Sequence, residues 1–207
     1  MKRNLIGMNK EDLELFFLSL GEKSFRSKQV YQWIHQKGVS DFHAMTNISK
    51  ELKVKLSEKA EISAPKVVLE KDSKDGSRKW VLSVGESDLV EMVLIPEGNR
   101  ATLCISSQVG CAVDCSFCAT GKQGFSRNLE LSEIIGQLWV AENSFGVPRD
   151  HANKKVTNVV MMGMGEPLLN FDAVTGAMNM MMDDKAYGLS KRKVTLSTSG
   201  LVPLIDK

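Results

Sequence analysis

The 207-residue sequence has no long run of apolar residues, no internal repeat and no low-complexity stretch. A helix that crosses a membrane needs about 20 predominantly apolar residues in a row, so no such helix is predicted. The opening residues, MKRNLIGMNKEDLELF, reach acidic side chains before any apolar run and do not resemble a secretory signal. With 43% hydrophobic and 25% charged residues, the composition is typical of a globular protein. We expect a cytoplasmic protein that has no membrane partner.

The net charge of +2 is distributed unevenly along the chain. Residues 1–60 contain 11 Lys or Arg against 7 Asp or Glu, whereas residues 61–150 contain 9 against 13. A basic segment beside an acidic one is compatible with a surface that binds an anionic polymer such as RNA. A solvated, lysine-rich helical surface explains the same charges, and on charge alone it is the simpler interpretation.

The first part of the chain, residues 1–62, has the apolar periodicity of short helices. Asn9 is a candidate N-cap for the first helix, and Gly21 would end it. Two further helices are predicted, one over about 26–37 and one after residue 48. These patterns predict a compact helical domain with basic residues on its outside.

The pattern changes to strands in the middle of the chain and to alternating strands and helices after it. Residues 63–100 contain short β-rich runs separated by the turn signals KDSKDGSRK and PEGNR, which predict an antiparallel linker or extension. Residues 101–207 begin with a strand at about 101–106 and then alternate helix and strand. This order indicates right-handed parallel crossovers and an α/β sheet or barrel. We expect Ser132 to cap the first helix of this part, and the second helix to be capped near Asp172.

Three segments follow the predicted parallel strands: the stretch CAVDCSFC, the segment GMGEP and the segment STSG. Ligands usually bind at the carboxyl ends of such strands, so we expect these segments to share one site. The alternating pattern contains three strands, and a barrel cannot close on three strands. We expect either an open sheet or the front part of a longer protein.

The cysteines are few and clustered, because three of four lie in residues 111–118 as Cys111, Cys115 and Cys118. In a reducing compartment, clustered cysteines bind metal more often than they form disulfides. A structural zinc site prefers four ligands, and Cys104 is the only other cysteine, but it falls inside a predicted strand. An iron–sulfur cubane with three cysteine ligands leaves one iron open for a small molecule. The spacing favours the cluster over zinc, and over three unligated cysteines.

The C-x3-C-x2-C spacing, with Phe117 before the last cysteine, is similar to the signature of radical S-adenosylmethionine (radical SAM) enzymes. The segments RATLCISSQVGCAVDCSFCATGKQGFSRNL, TNVVMMGMGEPLLN and LSKRKVTLSTSG resemble the RlmN family of RNA adenine-C2 methyltransferases. The segment LGEKSFRSKQVYQWIHQKG resembles the helical accessory domain of that family. The resemblance implies an α/β fold, namely a partial radical SAM (βα) barrel over 101–207, preceded by a helical accessory domain and a short antiparallel β extension.

The same resemblance implies two cofactors and the residues that hold them. The three clustered cysteines match the ligands of a [4Fe-4S] cluster, whose open iron binds S-adenosylmethionine. Gly165 and Glu166 match positions that hold the methionyl part of S-adenosylmethionine, and Ser197 matches another position in contact with it. Without the resemblance, GEP predicts only a turn after a buried strand, and a serine at a strand end more often caps the next helix.

Two further residues acquire catalytic roles from the resemblance. Glu91 matches the proton acceptor, and a desolvated carboxylate among apolar residues would suit a general base. Cys104 matches a cysteine that is not a cluster ligand but works opposite a second, C-terminal cysteine that carries the methyl group, which implies a disulfide bond between them. From the pattern alone, Glu91 would be an outward-facing residue of a half-exposed strand, and Cys104 a small buried one.

The implied activity is methylation of carbon 2 of adenosine in large-subunit ribosomal RNA and in the tRNA anticodon loop. The implied partners are rRNA, tRNA and a flavodoxin- or ferredoxin-type reductant, and we expect a monomer. No cysteine follows Cys118, so the methyl-carrying cysteine is absent and we expect a truncated form with the front half of the site. Two alternatives remain: methylation of carbon 8 of the same ribosomal adenosine, and a non-catalytic RNA-binding module that holds zinc.

Overall fold

The computed structural model describes residues 2–85, 87–149 and 154–206. The N-terminal part is a helical module that is closed by a short parallel strand pair. Its elements are β1 (Arg3–Asn4), α1 (Lys10–Ser19), α2 (Ser24–His35), a 3-10 turn (Phe42–Ala44), α3 (Lys50–Lys59) and β2 (Ala60–Glu61). The side chain of Asn9 accepts a hydrogen bond from the Asp12 N–H at 2.8 Å, so the predicted cap of α1 is confirmed. The chain turns at Gly21, whose φ of +75° suits glycine.

The remainder of the chain forms a large sheet, a small hairpin and the helices beside them. Its strands are β3 (Lys66–Asp72), β4 (Arg78–Val84), β5 (Asp88–Glu97), β6 (Arg100–Cys104), β7 (Gln108–Gly110), β8 (Phe125–Asn128), β9 (Asn158–Met161) and β10 (Val194–Leu196). Its helices are α4 (Ala119–Lys122), α5 (Leu131–Asn143), α6 (Phe171–Met182) and α7 (Val202–Ile205), with 3-10 turns at Pro167–Asn170 and Lys191–Lys193. Among the described residues, no helix is long and apolar enough to cross a membrane.

Six strands form one continuous mixed sheet in the order β10-β9-β6-β5-β4-β3. The strands β6, β9 and β10 are parallel to one another, whereas β5, β4 and β3 continue the sheet in antiparallel pairing. The predicted α/β fold with parallel crossovers is therefore confirmed. The antiparallel extension does not stand apart from the parallel strands, because β5 pairs directly with β6 over Val93↔Cys104 to Glu97↔Arg100.

The two faces of the sheet differ in burial. Along β5 the side chains of Val90, Met92 and Leu94 are buried, and the residues between them are exposed or half-buried. The buried face belongs to the same hydrophobic core as the apolar sides of α5 and α6. We call the other side the open face, because no described residue buries its side chains to a comparable degree. The alternation means that residues two apart on one strand share a face.

The helical module is attached to α5 through main-chain acceptors at the end of α2. The Trp139 indole N–H donates to the Ile34 carbonyl at 3.0 Å, and the Asn143 amide donates to the Gly38 carbonyl at 2.9 Å. The last carbonyls of a helix have no partner within the helix. Side chains of α5 therefore fill this requirement and fix the module against the sheet layer.

Two predicted helix caps are wrong, although the helices themselves are present. Helix α5 begins at Leu131, after Glu130, and the N–H of Glu130 donates to the Glu133 carboxylate at 2.8 Å. An acidic side chain at the third helical position satisfies this N–H, so Ser132 lies inside the helix. The second helix begins one residue before Asp172, because a 3-10 turn from Pro167 leads directly into it.

Candidate active site

The cysteine loop, which we define as residues 111–124, connects the two strands of the small hairpin β7–β8. Its base is closed by a hydrogen bond from the Cys111 N–H to the Gly124 carbonyl at 3.0 Å. Gly110 precedes the loop with a φ of +73°, and a Cβ atom there would lie 1.9 Å from the Gly124 carbonyl oxygen. The entry to the loop therefore requires glycine both for its backbone conformation and for the close approach of the two chain segments.

Within the loop, all three cysteine side chains are half-buried and free. The Cys118 N–H donates to the Cys115 carbonyl at 3.0 Å, which makes a tight turn between them. The sulfur of Cys111 accepts a hydrogen bond from the Val113 N–H at 3.4 Å, and N–H donors to sulfur are typical of cluster ligands. In the described part of the chain, no three His, Cys, Asp or Glu side chains converge with metal-binding geometry. The loop supplies three soft donors, which suit an iron–sulfur cluster, and the ligand assignment stays a prediction.

The GMGEP segment, residues 163–167, lies against the residues that follow β6. The Gly163 N–H donates to the Ile105 carbonyl at 3.0 Å, and the Ser107 N–H donates to the Met164 carbonyl at 2.8 Å. Gly165 has a φ of +99°, and a Cβ atom there would lie 2.5 Å from the Cβ of Gln108. Because the strand end and the turn touch at this point, only glycine fits at position 165.

Glu166 links this segment to the loop after β10. Its carboxylate accepts hydrogen bonds from the Leu168 N–H at 3.1 Å and from the Ser199 N–H at 2.8 Å. Burial raises the pKa of Glu166, but the hydrogen bonds from Ser199, Thr198 and Leu168 outweigh it and leave the pKa below its ordinary value. The buried carboxylate is thus ionised at neutral pH and ties GMGEP to STSG.

Ser197 lies directly after β10 and is half-buried beside these contacts. The hydrogen bond from the Ser199 N–H places its loop at the same sheet edge as GMGEP. These contacts bring GMGEP and STSG to the same sheet edge as the residues that follow β6. That the cysteine stretch shares a site with them stays a prediction. The binding of S-adenosylmethionine by Gly165, Glu166 and Ser197 stays a prediction.

Glu91 and Cys104 lie on the open face of the sheet. Cys104 is opposite Val93, and Glu91 is two residues from Val93, so both side chains point to the same side. The Glu91 side chain is 50% exposed and forms a 2.6 Å ion pair with Lys79 of β4. The expected desolvated surroundings of Glu91 are not found, because its side chain is half exposed. Its role as a proton acceptor stays a prediction.

The disulfide bond that the resemblance implies is not formed. All four cysteines lie in the described part of the chain, and each is free. Cys104 is held in β6 while the other three belong to the cysteine loop, and its implied partner is not among them. Burial raises the pKa of the Cys104 thiol, although a hydrogen bond from the Met162 main chain acts in the opposite direction. The thiol is therefore protonated at neutral pH.

Several polar residues at the sheet edge were not predicted as site residues from the sequence. Gln108 is fully buried; its side-chain oxygen accepts from the Glu166 N–H at 2.9 Å, and its amide donates to Asn128 at 2.8 Å. Asn170 donates to the carbonyls of Ser107 and Leu129 at 2.9 and 2.7 Å. The available signal was the polar run SSQ directly after an apolar strand, since a buried polar run needs partners.

The parallel part of the sheet, whose strand β6 is followed by β7 and a three-cysteine loop, is typical of radical SAM proteins. A family model described as "Radical SAM superfamily" matches residues 105–207. The chain also matches a crystal structure described as "a radical SAM methyltransferase from Sphaerobacter thermophilus", with a TM-score of 0.88 and 34% identity. That match covers 99% of this chain and 59% of the other.

A second family model, "Ribosomal RNA large subunit methyltransferase N-terminal domain", matches residues 3–62. Three curated relatives called "Dual-specificity RNA methyltransferase RlmN" align with 100% of this chain. They come from Marinobacter nauticus (61% identical, 56% of its length covered), Saccharophagus degradans (63%, 52% covered) and Pseudomonas fluorescens (59%, 54% covered). Over its whole length the chain is similar to these RlmN proteins, and it spans about half of their length.

Proposed function

We propose that the protein, at the length of its relatives, is a dual-specificity RNA methyltransferase. It methylates carbon 2 of adenosine in large-subunit ribosomal RNA and in the tRNA anticodon loop. The observation that carries the proposal is the contact of GMGEP with STSG and with the residues that follow β6, in a chain 59–63% identical to proteins of that name. The names of these relatives favour this activity over carbon-8 methylation and over a zinc-bound RNA module.

In this proposal, the cysteine loop holds a [4Fe-4S] cluster through Cys111, Cys115 and Cys118. The turn at Gly165 and Glu166, with Ser197 beside it, holds S-adenosylmethionine. When bound, these groups supply the one-electron chemistry that activates an unreactive carbon–hydrogen bond. The residues of the chain orient the cofactor, and the carboxylate of Glu166 keeps two of the strand-end segments together.

The open face supplies the two residues proposed to act on the substrate. Glu91 accepts a proton from the adenine ring, and its 2.6 Å ion pair with Lys79 orients the carboxylate. Cys104 works opposite a methyl-carrying cysteine that is not part of this chain. A flavodoxin- or ferredoxin-type protein supplies electrons, and the enzyme acts as a cytoplasmic monomer on rRNA and tRNA.

The proposal is tested with protein of full family length, reconstituted anaerobically with iron and sulfide. We expect a cluster signal in EPR spectra, and 2-methyladenosine in rRNA and tRNA by mass spectrometry of nucleosides. The Cys118→Ala variant should lose the cluster, because two thiolates do not hold a cubane. The matched Cys104→Ser variant should keep its iron. A colourless protein with stoichiometric zinc, or a product methylated at carbon 8, would contradict the proposal.

A further inference from the structure

The main chain leaves the sheet at Ser106, and a side chain takes the place of the neighbouring strand. The side-chain amide of Gln137, on α5, binds both main-chain polar groups of Ser106. The amide oxygen accepts from the Ser106 N–H and the amide nitrogen donates to the Ser106 carbonyl, each at 2.8 Å. Both residues are fully buried. The regular β5–β6 pairing ends at Cys104, and Gln137 acts as the ladder partner of Ser106, two residues further on.

The Ser106 hydroxyl connects two parts of the candidate site. It donates to the main-chain carbonyl of Glu91 at 2.7 Å and accepts from the Met164 N–H at 2.9 Å. Glu91 belongs to β5, whereas Met164 belongs to the GMGEP segment. One hydroxyl group is therefore the bridge between the strand of the proposed base and the turn of the proposed cofactor site.

The surroundings leave this bridge little freedom to move. A Cβ atom at Gly163 would lie 2.7 Å from the Ser106 hydroxyl oxygen and 2.7 Å from the Ile105 carbonyl oxygen. The amide of Gln137 also donates to the Glu133 carbonyl of its own helix at 3.3 Å, which limits its rotation. Close packing and fully paired polar groups together define one position for Ser106.

We propose that Ser106 and Gln137 are positioning residues, which set the separation between Glu91 and the GMGEP segment. This inference rests on the proposed function, because it assigns the base to Glu91 and the cofactor to GMGEP. Neither residue touches the reacting atoms, since Ser106 acts through the main chain at positions 91 and 164 and Gln137 acts through Ser106. A loss of either should move the base relative to the cofactor without removing the cluster ligands.

The test compares Ser106→Ala and Gln137→Met in reconstituted protein of full family length. A misplacement of about 1 Å costs about 100-fold in rate, and a partial shift should lower kcat for RNA methylation by about tenfold or more. We expect an unchanged KM for RNA, unchanged iron content, and at least tenfold fewer methyl groups transferred per S-adenosylmethionine cleaved. We also expect faster hydrogen exchange at the Met164 amide, by about tenfold in Ser106→Ala.

Ser57→Ala in α3 and Gln32→Met in α2 are matched controls, because they make the same chemical changes far from the sheet edge. Both should keep the methylation-to-cleavage ratio of the unchanged protein. An unaltered ratio in Ser106→Ala or Gln137→Met, in protein that folds, would overturn the inference, as would a parallel loss of iron, cleavage and methylation. If the unchanged protein methylates no RNA, the proposed function fails, while exchange at the Met164 amide still tests the bridge. Either variant alone decides the matter if the other does not fold.

Discussion

Replacing Glu166 by Gln should destabilise the folded protein measurably. The carboxylate accepts from two main-chain N–H groups, of Leu168 at 3.1 Å and of Ser199 at 2.8 Å, in a buried position. An amide offers one acceptor oxygen, so one N–H would face an NH2 group and lose its partner. Hydrogen bonds to charged groups contribute about 1.5–3 kcal/mol. We expect the free energy of unfolding at neutral pH to fall by about 2 kcal/mol.

The same change should depend on pH in a defined direction. The pKa of Glu166 in the folded protein lies below its ordinary value of 4.5. Its contribution to stability is therefore complete above pH 4.5 and disappears as the pH falls through the folded-state pKa. The difference between Glu166→Gln and the unchanged protein should shrink in acid, which urea unfolding followed by circular dichroism measures.

A matched control separates this site from surface charges. Glu97 forms a 2.8 Å ion pair with Arg100, but the two side chains are 76% and 63% exposed. Exposed pairs contribute about 0–1 kcal/mol, so Glu97→Gln should change stability little. Equal stability of Glu166→Gln and Glu97→Gln at neutral pH would refute the assignment of Glu166 as a buried link between two loops.

Two further predictions concern the backbone and the helical module. Gly165→Ala should lower the melting temperature, because it adds backbone strain of about 1–3 kcal/mol and a clash with Gln108. Gly98→Ala should lower the melting temperature less, because Gly98 has a φ of +57° but no atom within 4 Å of the added Cβ. Burial, together with the nearby charge of Arg149, holds the pKa of His35 at about 3, below its ordinary value of 6.5. The unfolded chain binds a proton in that window and the folded chain does not, so stability should fall as the pH drops from 6.5 towards 3. The His35→Phe variant should lack this part of the loss of stability in acid. An unchanged dependence of its unfolding free energy on pH would contradict the assignment to His35.

Most helices and the parallel strands could be predicted because their signals are local. Apolar residues one turn apart on α1 and the cap at Asn9 specify that helix almost alone. The strand–helix alternation after residue 101 restricts the topology further, because parallel strands need crossover connections. The meeting of GMGEP and STSG at one sheet edge then followed from topology.

The remaining contacts could not be predicted because they join residues far apart in sequence. Ser106 and Gln137 are 31 residues apart, and Gln108 and Glu166 are 58 apart. The polar run SSQ after an apolar strand indicates that Ser106 and Gln108 need partners, but the local pattern does not identify Gln137 and Glu166 as those partners. The cap of α5 was missed for a related reason: Ser132 is a good cap by type, but a carboxylate one residue later satisfied the free N–H instead.

The two faces of the sheet divide the candidate site into a rigid part and an exposed part. Gln108, Glu166 and Asn170 are buried, and most of their hydrogen bonds are to main-chain groups, so the strand-end loops are fixed by the sheet layer itself. Glu91 and Lys79, in contrast, are half exposed, and water screens their ion pair. Any RNA or protein segment that covers the open face would remove this water and strengthen the pair. Glu91 would then be held most firmly when the face is covered, so its position depends on what covers the face, whereas the positions of the GMGEP and STSG loops do not.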